Sequence, residues 1–180
     1  MSFGAKGEAV RQRVLRGLPV TLWMWRMLPL AAFAGLRVAR LDEHACTVRL
    51  PGGWRTRNPF ASTYFAAQAM AAEMSTGAPA LVLREDAPRP VSMLVIGLRA
   101  SYSKRLTGTG AFTCEDVAAI EAAIARAAAS DEPQLLVARS TGRDPAAEVV
   151  AEFEISWSFK RRTPSRDGPS SGHLDSSREF

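Results

Sequence analysis

Glu73 is the residue whose position in the sequence most strongly suggests chemistry. It lies in NPFASTYFAAQAMAAEMSTG, residues 58–77, whose middle is rich in alanine and methionine and is typical of a buried helix. A carboxylate buried in such a helix is costly unless it is protonated or hydrogen-bonded. Two interpretations stay open: Glu73 is a base or nucleophile in a cleft, or it lies near the helix end and pairs with a basic group.

Other side chains with catalytic chemistry are few. His44 falls in a predicted turn and His173 in a polar tail, so neither is a convincing catalytic histidine. Cys46 and Cys114 form no CxxC motif, and we expect two buried, reduced thiols. The sequence contains no cluster of metal ligands and no glycine-rich phosphate loop. We therefore expect neither a metal nor a cofactor.

The net charge of +5 is concentrated at the two ends of the chain. Residues 1–40 have a balance of +6, residues 41–159 a balance of −3, and residues 160–180 a balance of +2. A nucleic-acid-binding domain more often carries its positive charge on the folded body. This distribution, together with the absence of a binding motif, argues against a nucleic-acid partner.

The apolar run at residues 18–36 raises the question of a membrane segment. Basic residues precede it, but Arg26 lies in its middle and Pro19 and Pro29 interrupt it. A spanning helix needs roughly 20 apolar residues, and a central arginine costs about 2.5–3.5 kcal/mol. We expect residues 1–35 to form helices that pack on the domain, without stable membrane insertion; a helix lying in the membrane interface is the alternative.

The periodicity of the remaining chain predicts a mixture of helices and antiparallel strands. Helices are expected at residues 8–16 and 21–28, with Pro29 ending the second. A hairpin is expected from strands at 36–42 and 45–50, and the alanine-rich helix at about 60–76, stopped by Gly77 and Pro79. A strand is expected at 91–104, and its alternation puts one set of residues on one face: Leu94, Ile96, Leu98, Ala100 and Tyr102. Another strand is expected to start at 111–113, followed by a helix at 115–129 capped by Thr113 and Asp116. The last two strands are expected at 134–140 and 149–160.

These elements predict an α+β domain at residues 36–162, followed by a disordered tail at 163–180. The last strand alternates strictly between apolar and polar residues, as in a sheet with one covered face. A helix enclosed by such a sheet has to be apolar nearly all round and built of small residues. The stretch from Ala66 to Met74 meets this requirement.

The segment Arg57-Asn58-Pro59-Phe60, leading into the helix that contains Glu73, resembles the hotdog fold of acyl-CoA thioesterases and dehydratases. The nearest likeness is to the thioesterase-like branch labelled domain of unknown function 4442, over roughly residues 30–160. Asn58 stands at the family asparagine and Glu73 at its acidic residue. Tyr64, Phe65 and Ala66 stand where many members have His-Gly-Gly.

The resemblance implies that the thioester carbonyl lies at the N-terminus of the enclosed helix, near the N–H groups of Phe65 and Ala66. Glu73 would be the base or nucleophile, and Asn58 would orient water or bind the carbonyl; a turn before Pro59 is the alternative for Asn58. Tyr64 would donate its hydroxyl or else pack in the core. Gln68, one turn later, would line the same cleft or be an interface amide.

The segment Tyr102-Ser-Lys-Arg-Leu-Thr-Gly is similar to a strand end that lies near the coenzyme A phosphates in the family. Lys104 and Arg105 are therefore expected to bind the substrate, and Arg55 and Arg57 are further candidates. For each of these residues taken alone, a solvated surface charge is the alternative.

Two functions are compatible with these residues. One is a cytoplasmic acyl-CoA or acyl-carrier thioesterase that hydrolyses its substrate in a dimer-interface cleft. The other is a non-catalytic hotdog module that binds acyl groups or a protein partner, which the loss of His-Gly-Gly favours. The resemblance implies a homodimer or a dimer of dimers.

Overall fold

The computed structural model describes residues 3–15 and 17–162, and it begins with three helices. They are α1 (Ala5–Leu15), α2 (Gly17–Met27) and α3 (Pro29–Ala34). Helix α1 contacts α2 and the later helix α4 (Phe65–Leu83). Helix α2 ends just before Pro29, as expected, and Pro29 then begins α3, because its fixed φ suits the first turn of a helix. The predicted helix end at Arg16 and the predicted tail at 163–180 lie outside the described residues.

None of the helices in these ranges is both long and apolar enough to cross a membrane.

Six antiparallel strands form one sheet in the order β1-β2-β4-β5-β6-β3. The predicted hairpin is confirmed as β1 (Arg37–Leu41) and β2 (Cys46–Leu50), and its register shifts between Val38 and Arg40. The other strands are β3 (Val91–Tyr102), β4 (Gly110–Cys114), β5 (Gln134–Arg143) and β6 (Val149–Arg161). Strand β3 lies at one edge of the sheet and pairs only with β6 within the described chain.

Strand β6 supplies much of the core through its strict alternation. Phe153, Ile155, Trp157 and Phe159 are buried, whereas the residues between them are partly exposed. Cys46 and Cys114 are buried free thiols, as predicted, and the register pairs them directly across β2 and β4. Burial raises the pKa of both thiols, because a thiolate is poorly solvated in the core. The covered face of the sheet is therefore an apolar, largely unreactive interior.

The face predicted for β3 is wrong in its first half. The register shifts between Val95 and Gly97, so that Val95 lies opposite Trp157 and Leu98 lies opposite Ile155. Residues directly opposite each other in an antiparallel pair share a face, so Val95 and Leu98 point to the same side of the sheet. A bulge that inserts one residue exchanges the two faces in this way, and a pattern of strict alternation cannot include it.

Helix α4 (Phe65–Leu83) differs at both ends from the helix predicted at about 60–76. It begins later because an irregular loop occupies the preceding residues. It ends later because Gly77 and Pro79 lie inside it, buried against the rest of the molecule. Packing of a small-residue face stabilises this segment and overrides the local helix-breaking tendencies of glycine and proline.

Helix α4 contacts α1, helix α5 (Val117–Ala129) and strands β1, β2, β4, β5 and β6. The helix predicted at 115–129 is thus present, but its predicted capping box is wrong. The Asp116 side chain makes no capping hydrogen bond and instead accepts one from the backbone N–H of Arg139, at 2.7 Å. This bond joins the start of α5 to strand β5.

Candidate functional site

Glu73 lines an apolar cavity of about 350 Å³ between α4, the N-terminal helices and the start of β1. The cavity lies where α2 and α3 cover the face of α4 that carries Glu73 and Gly77. Thr21 and Arg37 are polar exceptions in a lining that is otherwise mainly apolar. The most prominent apolar side chains in the wall are Trp23, Met24, Met27, Leu28, Met74 and Met93. Unbranched methionine side chains can adapt to ligands of different shape.

The Glu73 carboxylate has no hydrogen bond or ion pair with any described residue. Burial raises its pKa above the ordinary glutamate value, because the ionised form loses hydration that no neighbouring cation replaces. The interpretation that Glu73 simply pairs with a basic group is therefore not supported. A half-buried acid with a raised pKa in a cavity has the properties of a functional carboxylate.

The start of α4 forms a second group of candidate residues. Tyr64 is the N-cap residue, and its carbonyl accepts the N–H groups of Ala67 and Gln68. The N–H groups of Phe65 and Ala66 have no acceptor within the described ranges. Unpaired N–H groups at a helix start attract negative charge through both hydrogen bonding and the helix dipole.

Asn58 holds the loop that leads into α4. Its Oδ1 accepts the backbone N–H groups of Phe60 and Ser62 at 2.9 and 3.2 Å, and its Nδ2 donates to Ser62 Oγ at 3.0 Å. The loop also contains Ala61 at a positive φ of 58°, a conformation that non-glycine residues adopt at a cost. The side chain of Asn58 thus stabilises a strained turn, as in the alternative drawn from the sequence.

Gln68 is buried one turn after Tyr64. Its Nε2 donates to the carbonyl of Thr63 at 3.3 Å, whereas its Oε1 is buried and has no partner among the described residues. A buried acceptor without a donor costs about 1–3 kcal/mol. This arrangement leaves an acceptor available to a ligand donor or to a bound water.

Aromatic side chains cover the start of α4 instead of the glycines of the related motif. Tyr64 and Phe65 are about half exposed and pack edge to face, with ring centres 4.8 Å apart. Phe65 also contacts Tyr102, whose hydroxyl donates to the Phe65 carbonyl at 3.4 Å. Tyr64 is therefore not a core residue, and its side chain is accessible from the surface.

The basic residues expected near coenzyme A phosphates differ in their surroundings. Lys104 Nζ is paired with Asp144 and Glu148, which raises the pKa of the lysine and largely neutralises its charge. Arg105 is exposed, and so are Arg57 and Arg55; the Arg55 guanidinium lies over the Trp54 ring, 5.8 Å from its centre. Lys104 thus fastens the end of β3 to the β5–β6 connection.

The predicted residues form two groups in the folded chain. Glu73 lies eight residues beyond Phe65, which corresponds to a rise of about 12 Å along a helix. Asn58, Tyr64, Phe65, Ala66 and Gln68 lie at or near the start of α4, whereas Glu73 faces the cavity under the N-terminal helices. One chain therefore does not bring the carboxylate and the free N–H groups to the same point.

The cavity walls contributed by α2 were not predicted from the sequence. The available signal was the run TLWMWRML, whose methionines and tryptophans were interpreted only as a packing surface. Apolar periodicity identifies the buried face of a helix but does not show whether that face meets other side chains or an empty space.

Several solved structures share this fold. A thioesterase from Haemophilus influenzae matches with a TM-score of 0.58 at 13% identity, covering 76% of this chain and 86% of its own. A protein from Pseudomonas aeruginosa, described as of unknown function and as "Probable Thioesterase", gives 0.65 at 20% identity, covering 82% and 99%. A protein of unknown function from Chlorobaculum tepidum gives 0.70 at 11% identity, covering 87% and 97%.

At these identities the likeness shows the fold alone, which is the hotdog-like α+β fold expected from the sequence. No curated protein matches the sequence significantly. The model of the family described as Domain of unknown function (DUF4442) matches residues 20–159, from α2 to the end of the sheet. The chain therefore belongs to the DUF4442 family.

Proposed function

We propose that this protein hydrolyses an acyl thioester, with Glu73 as the general base or the nucleophile. The observation that carries the proposal is the unpaired Glu73 carboxylate in the wall of an apolar cavity. A thioesterase and a probable thioesterase among the proteins of similar fold support the same class of reaction. In this hotdog arrangement α4 is the central helix, enclosed by the sheet.

The surroundings of Glu73 suit the chemistry. Catalysis by a general base is most effective when its pKa is close to the working pH, and burial moves the pKa of Glu73 in that direction. As a base, Glu73 takes a proton from water, which attacks the thioester carbonyl. As a nucleophile, it forms a mixed anhydride that water then hydrolyses. In both routes the thiol leaves and the carboxylic acid is released.

The cavity beside Glu73 suits an aliphatic acyl chain. Its volume of about 350 Å³ has room for roughly ten methylene-sized groups, if each takes about the 30 Å³ of a water molecule. Met24, Met27, Met74 and Met93 give the walls the adaptability needed to bind chains of more than one length. The acyl chain would thus lie beneath the N-terminal helices.

The oxyanion formed during the reaction needs hydrogen-bond donors, and the N–H groups of Phe65 and Ala66 are suitable. Because they lie about 12 Å along the helix from Glu73, they would act together with the Glu73 of a second chain. Gln68 and Tyr64 would contact the substrate beside these N–H groups. Asn58 would act as a positioning residue, through the loop that sets the start of α4.

A second chain would bind at the free edge formed by β3. Leu94, Ile96 and Leu98 are exposed on this strand, and its outer backbone groups pair with no other described strand. An exposed apolar edge strand is a template for pairing with another chain. Antiparallel pairing of β3 with its copy would give the homodimer that a composite site requires.

A non-catalytic module that binds acyl groups is the second candidate. The observation that favours it is Phe65, whose exposed ring stands at the start of α4 where the family often has glycine. If this ring keeps the thioester carbonyl away from the N–H groups, acyl groups would still enter the cavity without being hydrolysed.

Hydrolysis of a panel of saturated acyl-CoAs by the wild type and Glu73→Gln tests the proposal. We expect measurable hydrolysis that falls at least 100-fold in the variant, while the variant keeps its chromatographic behaviour and unfolds cooperatively at the wild-type temperature or above. Equal rates in the two proteins would remove Glu73 from the mechanism. Binding of the acyl-CoAs without turnover by the wild type would favour the non-catalytic module.

Phe65→Pro tests the N–H groups at the start of α4. Proline is accepted at the first helical position, and Tyr64 already has the extended conformation (φ −63°, ψ 136°) that a following proline requires. The variant removes one N–H donor, and we expect kcat to fall by about 10²–10³-fold. Phe65→Ala is the matched control, which removes the ring and keeps the donor. A similar loss in both variants would assign the effect to the ring.

Mixed dimers test whether the site is composite. Co-refolding of Glu73→Gln with Phe65→Pro would produce dimers in which one of the two sites is intact, so activity should reappear. If both groups act within a single chain, the mixture would remain as inactive as its components.

A further inference from the structure

Three arginines line one pocket, and of these only Arg55 was named as a candidate from the sequence. Arg37 on β1, Arg49 on β2 and Arg55 in the following loop line a pocket of about 410 Å³. Its other walls include Trp54 and the backbone of the loop Pro51-Gly52-Gly53. A concave site with three guanidinium groups attracts an anion, and planar guanidinium groups match the geometry of phosphate.

The charges in this pocket are not balanced by the protein. Arg37 and Arg49 are direct cross-strand partners, an arrangement of like charges that destabilises an antiparallel pair. None of the three arginines has an ion pair with an acidic group in the described part of the chain. Arg55 donates only a long hydrogen bond, 3.4 Å, to the carbonyl of Phe33. A bound anion would compensate the repulsion that the free protein retains.

Trp54 adds an aromatic surface to the basic pocket. Its side chain is 71% exposed. The Phe33 ring packs edge to face with it, with ring centres 5.7 Å apart, and the Arg55 guanidinium lies over it. Burying such a side chain is favourable, and its exposure beside three cations suggests stacking with a planar ligand group. The loop that carries Trp54 packs closely against Gly108 at Gly52, because a Cβ atom at residue 52 would lie only 2.7 Å from the Gly108 backbone.

The arginine pocket adjoins the cavity that contains Glu73. Gly35 and Arg37 line both spaces, so the two lie side by side, and a ligand that reached from the apolar cavity into the basic pocket would pass these two residues. Such a ligand has an acyl chain at one end and phosphate groups at the other. The alternative phosphate site expected from the sequence includes Lys104, whose charge is taken up by Asp144 and Glu148.

We propose that Arg37, Arg49 and Arg55 bind the phosphate groups of the substrate's carrier, and that Trp54 stacks on its adenine when the carrier is coenzyme A. This inference rests on the proposed thioesterase function and locates the carrier half of the substrate. A phosphopantetheine arm on a carrier protein has the phosphate without the adenine, so the two sources share the arginines and differ at Trp54.

Binding of free coenzyme A, measured by calorimetry, tests the pocket without requiring hydrolysis. We expect Arg37→Gln, Arg49→Gln and Arg55→Gln each to weaken binding about tenfold or more, since each removes a charge-assisted hydrogen bond. Arg89→Gln, at an exposed arginine outside the pocket, is the matched control. Wild-type affinity in all three pocket variants, or a loss confined to Arg105→Gln, would overturn the proposal.

Two further comparisons identify the carrier and separate this inference from the catalytic one. Trp54→Ala should weaken coenzyme A binding but leave 4′-phosphopantetheine binding unchanged; equal losses for both ligands would overturn the stacking role. With acyl-N-acetylcysteamine, which has no phosphate, Arg49→Gln and Arg55→Gln, both outside the lining of the Glu73 cavity, should hydrolyse as fast as the wild type, while their KM for acyl-CoA rises about tenfold. If the protein is not a thioesterase, neither substrate will be hydrolysed, but the effect of the arginine variants on coenzyme A binding can still be measured.

Thermal unfolding of the arginine variants tests whether misfolding causes any loss of binding. Because Arg37 and Arg49 repel each other across the strands, Arg49→Gln should unfold at the same temperature as the wild type or higher. A large fall in its unfolding temperature would show that the arginines have a structural role and would overturn the proposal.

Discussion

The carboxylate of Glu73 lies over Gly77, one turn further along α4. A Cβ atom at residue 77 would lie 3.1 Å from Glu73 Oε1 and 3.3 Å from the buried ring of Trp157. The absence of a side chain at Gly77 therefore leaves the space in which the carboxylate rests beside the cavity. This relationship explains a glycine in the middle of a long helix, where glycine normally costs about 0.5–1 kcal/mol relative to alanine.

Gly77→Ala should therefore affect activity more than stability. The gain in helix propensity partly offsets the crowding against Trp157, so we expect the free energy of unfolding to change by less than about 1 kcal/mol. The displaced carboxylate should lower the kcat for acyl-CoA hydrolysis at least tenfold. Steady-state kinetics and urea unfolding on the same preparation measure both effects. An alanine variant with wild-type kcat would contradict the stated role of Gly77.

Glu73→Gln should make the protein more stable at neutral pH. The pKa of Glu73 is raised in the folded state. The stability that its protonated carboxyl group contributes to the wild type is therefore fully present at pH values below the ordinary glutamate pKa. The wild type loses stability as the pH rises through the folded pKa. Glutamine has no charge to desolvate, so the difference in unfolding free energy should grow over that range and then level off.

Urea unfolding at a series of pH values measures this difference. Glu152→Gln, at an exposed glutamate on β6, is the matched control and should follow the wild-type curve. Parallel curves for the wild type and Glu73→Gln would show that burial does not perturb the carboxyl group.

The buried indole N–H of Trp157 donates its hydrogen bond to α4. Its Nε1 donates to Thr76 Oγ1 at 2.9 Å, and the Thr76 hydroxyl donates to the carbonyl of Glu73 at 2.9 Å. Thr76→Val keeps the side-chain shape but leaves the buried indole N–H unsatisfied, which should cost about 1–3 kcal/mol. Thr76→Ser keeps the hydroxyl and should lose less. Equal stability of the valine variant and the wild type in urea unfolding would refute this.

A charge on the free edge of β3 should prevent dimer formation. Leu98→Lys places a cation on the exposed apolar edge strand, and we expect a monomer at micromolar concentration with little change in unfolding temperature. Val137→Lys is the matched control, since Val137 is similarly exposed but lies on the interior strand β5. Sedimentation equilibrium distinguishes the two variants. A wild type that is itself monomeric would end the model of a composite site.

Local patterns in the sequence were sufficient for most elements of the fold. The alternation along β6 predicted which side chains are buried, and the hairpin of β1 and β2 followed from two short apolar runs around a polar turn. These predictions succeeded because burial on one face of a strand repeats every second residue. They failed at Gly77 and Pro79, which local preference marks as helix stops and which close packing retains within α4.

The sequence alone determined that Glu73 is an acid in a helix of small apolar residues and that Phe65 and Ala66 replace glycines of a related motif. Only the tertiary structure decided what those residues face. The cavity beside Glu73 exists because α2 and α3 fold over α4, and no periodicity within one helix encodes the space between helices. Arg37 and Arg49 face each other because the strand register, with its shift at Val38 and Arg40, puts them opposite; a slip of one residue would turn one of them to the other side of the sheet.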